Sequence, residues 1–248
     1  MAGAIVNPYA VTPGGPPGYE GAVLKQGPVG FWMLNETSGD AIDTGSAGID
    51  GVYTGTGITR ASASVFGLTA PRFGSNYQSK VVVPNNSAWA VAGGYSATAS
   101  WVALVRTYVT TGTQAWMAKY SQNGREWALE VDTATPRWLP SVDRGGTSHG
   151  VAELSYTNSP VAYTDYHVAL TYNYPAQQFY LYINGTLVAS DTNFSNVNTA
   201  MSSDIWIGGN EITTGRYWNG AICGVAIFDK VLSQTEITAQ YDAAVAGP

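Results

Sequence analysis

Two carboxylates at alternate positions are the first feature with catalytic potential. Glu130-Val-Asp132 sets two acids on one side of an extended chain, because strand side chains alternate between faces. A pair of carboxyls held about 5–5.5 Å apart can cleave a glycosidic bond, one as acid and one as nucleophile. Nucleophilic chemistry has less to draw on. The only imidazoles are His149 and His167, and the only thiol is Cys223. His149 lies in Arg144-Gly-Gly-Thr-Ser-His-Gly150, with no strand-turn-helix serine elbow around it. His167 and Cys223 fall within strand patterns, where packing is the expected role. One cysteine leaves neither an intrachain disulfide nor a multi-cysteine zinc site. Sugar recognition needs aromatic faces beside amides and hydroxyls on an exposed surface. Trp138, Tyr217, Trp218 and Asn219 are the candidates, with Tyr172-Asn-Tyr174 as a further cluster. Eight Trp and sixteen Tyr in the chain make residue type alone a weak guide, since sandwich aromatics usually pack in cores or across strands.

Composition removes whole classes of function. Only 11% of the 248 residues are charged and the net charge is −6, against about 25% charged in a typical soluble domain. A phosphate-binding surface needs clustered Lys and Arg, so nucleic acid is not an expected partner. No apolar run approaches the roughly 18 residues of a membrane span.

The elements that must position any site are strands. Short runs with period-two alternation, separated by turn residues, extend from about residue 27 to 230, a pattern of antiparallel pairing. In Phe179-Tyr-Leu-Tyr-Ile-Asn-Gly-Thr-Leu-Val-Ala189, Asn184-Gly185 supplies the two positive φ angles of a type I′ hairpin. Leu181 and Ile183 then share one face, Tyr180 and Tyr182 the other. A second hairpin spans Trp116 to Asp132 and turns near Asn123-Gly124. Its return strand is expected to send Trp127, Leu129 and Val131 inward and Glu126, Glu130 and Asp132 out to solvent. Further strands are predicted at Val29–Leu34, Ser79–Val83, Ala99–Tyr108, His167–Tyr172, Asp204–Ile207 and Gly220–Phe228. Ser233-Gln-Thr-Glu236 is a capping box that opens a C-terminal helix, and Gly18 to Gln26 fits a short helix. The fold class is all-β: an antiparallel β-sandwich or jelly roll over residues 19–248, preceded by an N-terminal arm, residues 1–18.

No charged side chain precedes Glu20, and Pro13-Gly14-Gly15-Pro16-Pro17-Gly18 has linker composition. Ordering such a leader costs on the order of 1 kcal/mol per residue. Burying Ile5, Val6, Tyr9 and Val11 returns about 1.5–3 kcal/mol apiece, so these are the anchors of an arm that requires a docking surface. Asn7, Pro8, Thr12 and Pro13 interrupt the apolar residues and nothing basic precedes them. The expectation is therefore no signal peptide and synthesis in a cytoplasm.

Tyr166-His-Val-Ala-Leu-Thr-Tyr172 followed by Phe179 to Val188 resembles the central hairpin of the laminin-G-like, concanavalin A-like jelly rolls. Ile205-Trp-Ile-Gly208 is similar to their next strand, and Asn219 to Ile237 to their final strand and helix. Gly27-Pro-Val-Gly-Phe-Trp-Met-Leu-Asn-Glu-Thr-Ser-Gly39, with Asp43 and Gly48 to Gly51, resembles their opening strand and loop. Laminarinase-type relatives carry Glu-x-Asp-x-x-Glu on one strand; here Thr135 stands where the second glutamate belongs. The resemblance thus implies no hydrolase by that route and a protein that is not an enzyme. It implies no organic cofactor. Calcium is the one candidate ion, through Asp43 and Asp50 in Asp43-Thr-Gly-Ser-Ala-Gly-Ile-Asp50. The acidic pair common in the family's last strand is here Cys223-Gly224. Single copies behind a short arm resemble tailed-phage virion proteins. That implies a capsid decoration or accessory protein on the particle surface, in many copies or as a homo-oligomer, with major capsid or tail proteins as partners. The alternative is a glycan-binding module, for adhesion or receptor recognition, on a phage tail or surface.

Overall fold

The computed structural model describes residues 18–74, 78–89, 97–109, 112–121, 124–132, 137–142, 152–158, 160–192, 202–210 and 216–247. Anchors Ile5, Val6, Tyr9 and Val11, together with His149 and Thr135, lie outside these residues. In chain order, helix α1 (Gly18–Leu24) precedes β1 (Gly30–Trp32), β2 (Val52–Thr54), β3 (Thr59–Val65), β4 (Leu68–Phe73) and β5 (Lys80–Val83). Then come β6 (Thr98–Thr107), β7 (Thr113–Ser121), β8 (Gly124–Asp132), β9 (Arg137–Val142) and β10 (Ala152–Glu153). The remainder is β11 (Asp165–Asn173), β12 (Gln178–Ile183), β13 (Thr186–Asp191), β14 (Ile205–Ile207), β15 (Gly220–Phe228) and helix α2 (Gln234–Ala246).

Among the described residues these strands form two antiparallel sheets. The first runs β13-β12-β11-β6-β15-β4-β3, with β1 also on β15; the second runs β10-β9-β8-β7-β14-β5-β2. Between them lies the main core, with Trp32, Trp101, Trp116, Trp127 and Trp218 among its fully buried side chains. A second core fills the outer face of the first sheet, where Tyr19, Val23, Ile237 and Ala244 of the helices meet Phe31, Leu104, Ala169 and Tyr182. Leu181 and Ile183 face the first core and Tyr182 the second, as their alternation predicts.

Local chemistry sets the main turns. Asn184 and Gly185 have φ of 51° and 73°, the I′ pair read from the sequence. The capping box forms with both bonds present: Ser233 Oγ accepts the Glu236 amide at 3.2 Å and Glu236 Oε2 accepts the Ser233 amide at 2.7 Å. Strands β2, β3, β4, β9 and β10 are additional to those predicted. The β3–β4 turn uses Phe66 and Gly67 at φ 51° and 79°, a phenylalanine where asparagine is usual. Tertiary contacts hold it: the Phe66 amide donates to Asp165 Oδ2 at 2.8 Å and its ring packs edge-on to Tyr241. Pro140 disguises β9, yet its carbonyl accepts from the Leu154 amide at 3.0 Å.

Strand β15 shifts phase in mid-course. Ile222 faces the main core and Cys223 the helices, but Val225 and Ile227 then turn inward. Cys223 pairs with Leu104 and Ala226 with Val102, so one extra residue is inserted, a β-bulge. Gly224 occupies it at φ 58°. A Cβ there would lie 2.4 Å from the Tyr19 ring, whose hydroxyl donates to the Gly224 carbonyl at 2.8 Å. The bulge is the seat on which α1 docks.

The expectation that Glu126, Glu130 and Asp132 point to solvent is corrected. Glu126 is buried and its Oε2 meets Lys119 Nζ at 2.6 Å, an ion pair with side chains 0% and 1% exposed. The cause is a bulge: Lys119 pairs with Trp127 and Tyr120 with Arg125, which leaves Glu126 as the extra residue. Glu130 is buried as well, for reasons given below. Asp132 is half-buried, 3.6 Å from Arg137 Nη2.

Candidate functional site

A cleft opens at one edge of the sandwich, where the last strands of the second sheet approach β11 and β12. Trp138 on β9 pairs with Val131 and thus faces inward. Beyond it, Tyr156 bridges to Trp138 by mutual backbone bonds of 2.9 and 3.1 Å. From the first sheet, Tyr166 opens β11 on the side of Val168 and Leu170. The Trp138 and Tyr166 rings meet edge to face, with centroids 5.3 Å apart. These rings, with Tyr156, Thr157, Asn158 and Val161, line a cleft of about 390 Å³ whose base includes Ile183. Pockets of roughly 300–1,000 Å³ hold small ligands.

Polar groups fix its rim. Asn158 Nδ2 donates to the Tyr156 hydroxyl at 2.7 Å, and the Val161 amide donates to the Tyr166 hydroxyl at 2.9 Å. Each hydroxyl oxygen thus accepts one N–H at the rim of the cleft. Thr157 and Asn158 are exposed, Tyr156 and Tyr166 half-buried. The arrangement offers aromatic faces beside an amide and hydroxyls, a set suited to a sugar ring.

The structure divides the residues proposed as a glycan face. Trp138 belongs to the cleft, but at 2% exposure it serves as floor rather than as an exposed platform. Tyr217 and Trp218 are buried elsewhere, and the expectation of an exposed face is corrected. Trp218 sits in the main core, where its Nε1 donates to the Arg106 carbonyl at 3.3 Å. Asn219 ties its backbone into the fold: its main-chain N–H donates to Gln114 Oε1 and its main-chain carbonyl accepts from the Tyr108 N–H, both at 2.8 Å. Tyr172 and Tyr174 also lie in the main core. Sequence pattern alone does not mark Tyr156, Asn158 and Tyr166 as site residues. Tyr156-Thr-Asn158 has a suitable composition, but nothing local says that it faces Trp138.

Glu130, the candidate acid, is saturated by protein. Its Oε1 accepts from Asn210 Nδ2 at 2.8 Å and its Oε2 from Arg216 Nη1 at 2.6 Å, with the side chain 2% exposed. Neither oxygen is presented to a substrate. The stacked neighbours on this face are Lys80, Trp206 and Tyr217, with Lys80 Nζ 3.9 Å from the Trp206 ring centre.

The Asp43–Asp50 loop fits a cation poorly. Asp43 Oδ1 accepts the amides of Phe31 at 2.7 Å and Gly45 at 2.8 Å, and Oδ2 accepts Ile49 at 2.8 Å. Three N–H dipoles with positive ends converge on that carboxylate, the reverse of what a divalent ion requires. Asp50 Oδ1 is turned back to the Asp43 amide at 2.8 Å. Burial raises Asp43 from the ordinary carboxylate range against the opposing pull of the three amides. Among the described residues no group of three or more His, Cys, Asp or Glu is placed to hold a metal.

His167 and Cys223 take packing positions. His167 Nε2 faces Gln240 Oε1 at 3.3 Å, Gln240 Nε2 donates to Gln26 Oε1 at 2.6 Å, and Gln26 Nε2 to the Glu236 carbonyl at 3.0 Å. Burial lowers the imidazole to about 4. Cys223 is fully buried, and burial pushes its thiol far above the ordinary value. Among the described residues no helix is long and apolar enough to cross a membrane.

Fold and cleft together define a two-sheet jelly roll with a saccharide-sized recess at its edge. Residues 73–238, more than half of the chain, match the laminin-G family described as the concanavalin A-like lectin/glucanases superfamily, and the chain belongs to it. No curated protein matches the sequence. Among solved structures, it is similar to domain 4 of AbnA, an extracellular arabinanase from Geobacillus stearothermophilus, in complex with arabinotriose. That likeness has 16% identity and a TM-score of 0.58, and covers 86% of this chain and 98% of that one. It is similar to Trypanosoma rangeli sialidase at 18% identity and TM-score 0.60, over 87% of this chain and 33% of the sialidase. The botulinum neurotoxin serotype D binding domain gives 16% identity and TM-score 0.68, over 89% of this chain and 52% of that domain. The chain thus spans about a third of the sialidase and about half of the toxin domain.

Proposed function

We propose that the protein is a non-catalytic glycan-binding module and that the cleft between β9 and β11 is its binding site. The observation that carries this reading is the convergence of Trp138, Tyr156 and Tyr166 with Thr157 and Asn158 around about 390 Å³. A pyranose or furanose ring presents an apolar C–H face and a rim of hydroxyls. The cleft offers aromatic surface for the one and an amide with phenolic hydroxyls for the other. The company the fold keeps supports the reading, since one similar domain was solved with arabinotriose and others come from a sialidase and a toxin binding domain. The neutralised Glu130 supports a binding role over hydrolysis. An immobilised glycan array, probed with the full chain in calcium and in EDTA, tests it. Specific binding is expected in both buffers, reduced about tenfold by Asn158→Ala as one polar contact is lost. Binding to no glycan would refute the reading.

We further infer that residues 1–18 attach this module to a virion surface, as a decoration or accessory protein. The uncharged leader with Ile5, Val6, Tyr9 and Val11 supports this. So does its junction: α1 is held to the body by the Tyr19–Gly224 bond and the turn after it by the Gln26–Gln240 bond, a fixed point from which an arm can bear load.

A further inference from the structure

Two residues beyond the cleft wall, the chain does something that folding does not call for. The turn from Val161 to Thr164 is closed by the Thr164 amide to the Val161 carbonyl at 3.2 Å. Its third residue, Tyr163, has φ +63°, the position in a type II turn that glycine or asparagine takes without strain. Tyr163 brings no core packing in return, for it is 70% exposed. The geometry around it is nonetheless built. The Tyr163 amide donates to the Thr107 carbonyl at 2.8 Å, which bolts the turn to the end of β6. Its ring lies on Tyr108, centroids 5.2 Å apart and planes 19° from parallel. The Arg72 guanidinium lies 5.2 Å from the centre of the Tyr108 ring. Val161, in the same turn, is 60% exposed and lines the cleft. A strained, exposed aromatic held by a stacked partner is a pattern associated with function.

We propose that Tyr163 is a second stacking platform, so that the site takes a linear oligosaccharide rather than a single sugar. This rests on the glycan-binding reading of the cleft. One ring of the ligand sits against Trp138 and Tyr166; the chain passes over Val161, and a later ring lies on Tyr163. Tyr108 holds the platform flat, which removes the entropic cost of ordering an exposed side chain on binding.

The test uses arrays graded from mono- to hexasaccharide, with wild type, Tyr163→Gly and Tyr163→Phe. Glycine suits the backbone at φ +63°, so Tyr163→Gly is expected to unfold no earlier than wild type in thermal melts. It should lose roughly tenfold in affinity for the longer members, the loss of one aromatic partner, and keep the wild-type response to monosaccharides. Tyr163→Phe retains the ring and should bind as wild type. Equal affinity of Tyr163→Gly and wild type at every length would overturn the platform while leaving the cleft standing. A wild-type chain that binds no glycan of any length would overturn both.

Discussion

Asp43 decides whether the opening loop is organised by a carboxylate or by an ion, and its replacement separates the two. Asp43→Ala removes the acceptor from three amides, those of Phe31, Gly45 and Ile49. A buried donor left without a partner costs about 1–3 kcal/mol. Phe31 is fully buried and should meet the upper end, while Gly45 and Ile49 are half-buried and recover part of their loss from water. The sum is about 3–5 kcal/mol, a large share of the 5–15 kcal/mol by which a typical domain is stable. Asp43→Asn keeps the shape and one acceptor oxygen, and turns an NH₂ toward a remaining amide. It should cost about 1–3 kcal/mol. Urea unfolding of wild type and both variants, each in calcium and in EDTA, reads these values. An ion bound only by the folded state would add about 2.7 kcal/mol at a hundredfold excess over its dissociation constant. The expected result is the order wild type, Asn, Ala, with no difference between buffers. A wild type stabilised by calcium, beside an Asp43→Ala variant that has lost only that increment, would refute the amide-anchor account.

His167 makes stability depend on acid. Its folded value of about 4 lies below the ordinary 6.5, so the unfolded chain takes up the proton first. Stability is complete above pH ~6.5 and declines as pH falls toward ~4, by about 3 kcal/mol in all; His167→Gln should flatten that decline in urea titrations, and an unchanged slope would locate the acid sensitivity elsewhere. Deleting residues 1–17 leaves α1 with its Tyr19–Gly224 bond, so the melting temperature of the body should hold; on the virion-attachment proposal the shortened chain should no longer join particles, and its full incorporation would refute that role for the arm.

Much of the frame was legible because its signals are local. The Asn184-Gly185 turn, the Ser233–Glu236 box and the faces of Leu181 and Tyr182 each depend on residues within a few positions of one another. Where local and distant demands conflict, the reading broke. Pro140 hides a strand that pairs through its carbonyl, and Phe66 takes a left-handed turn held by Asp165, 99 residues away. The acids of β8 alternate as solvent-facing residues should. One bulge turned Glu126 onto Lys119, and an arginine 86 residues downstream covered Glu130.

Residue order alone determined that this chain is an antiparallel β-sandwich with a short helix before its strands and another after them, its motifs resembling the jelly rolls, and that it lacks the basic clusters for nucleic acid. Period-two burial and turn stereochemistry act between near neighbours, so they are written in short stretches. Only the tertiary structure decided which of many aromatics form a site. Trp138 and Tyr166 come from different sheets and meet at the cleft, whereas Tyr217 and Trp218, no different in kind and buried like Trp138, pack elsewhere. Whether a ring is floor, platform or core depends on what the opposite sheet brings to it, and that partner is specified by packing across the whole sandwich.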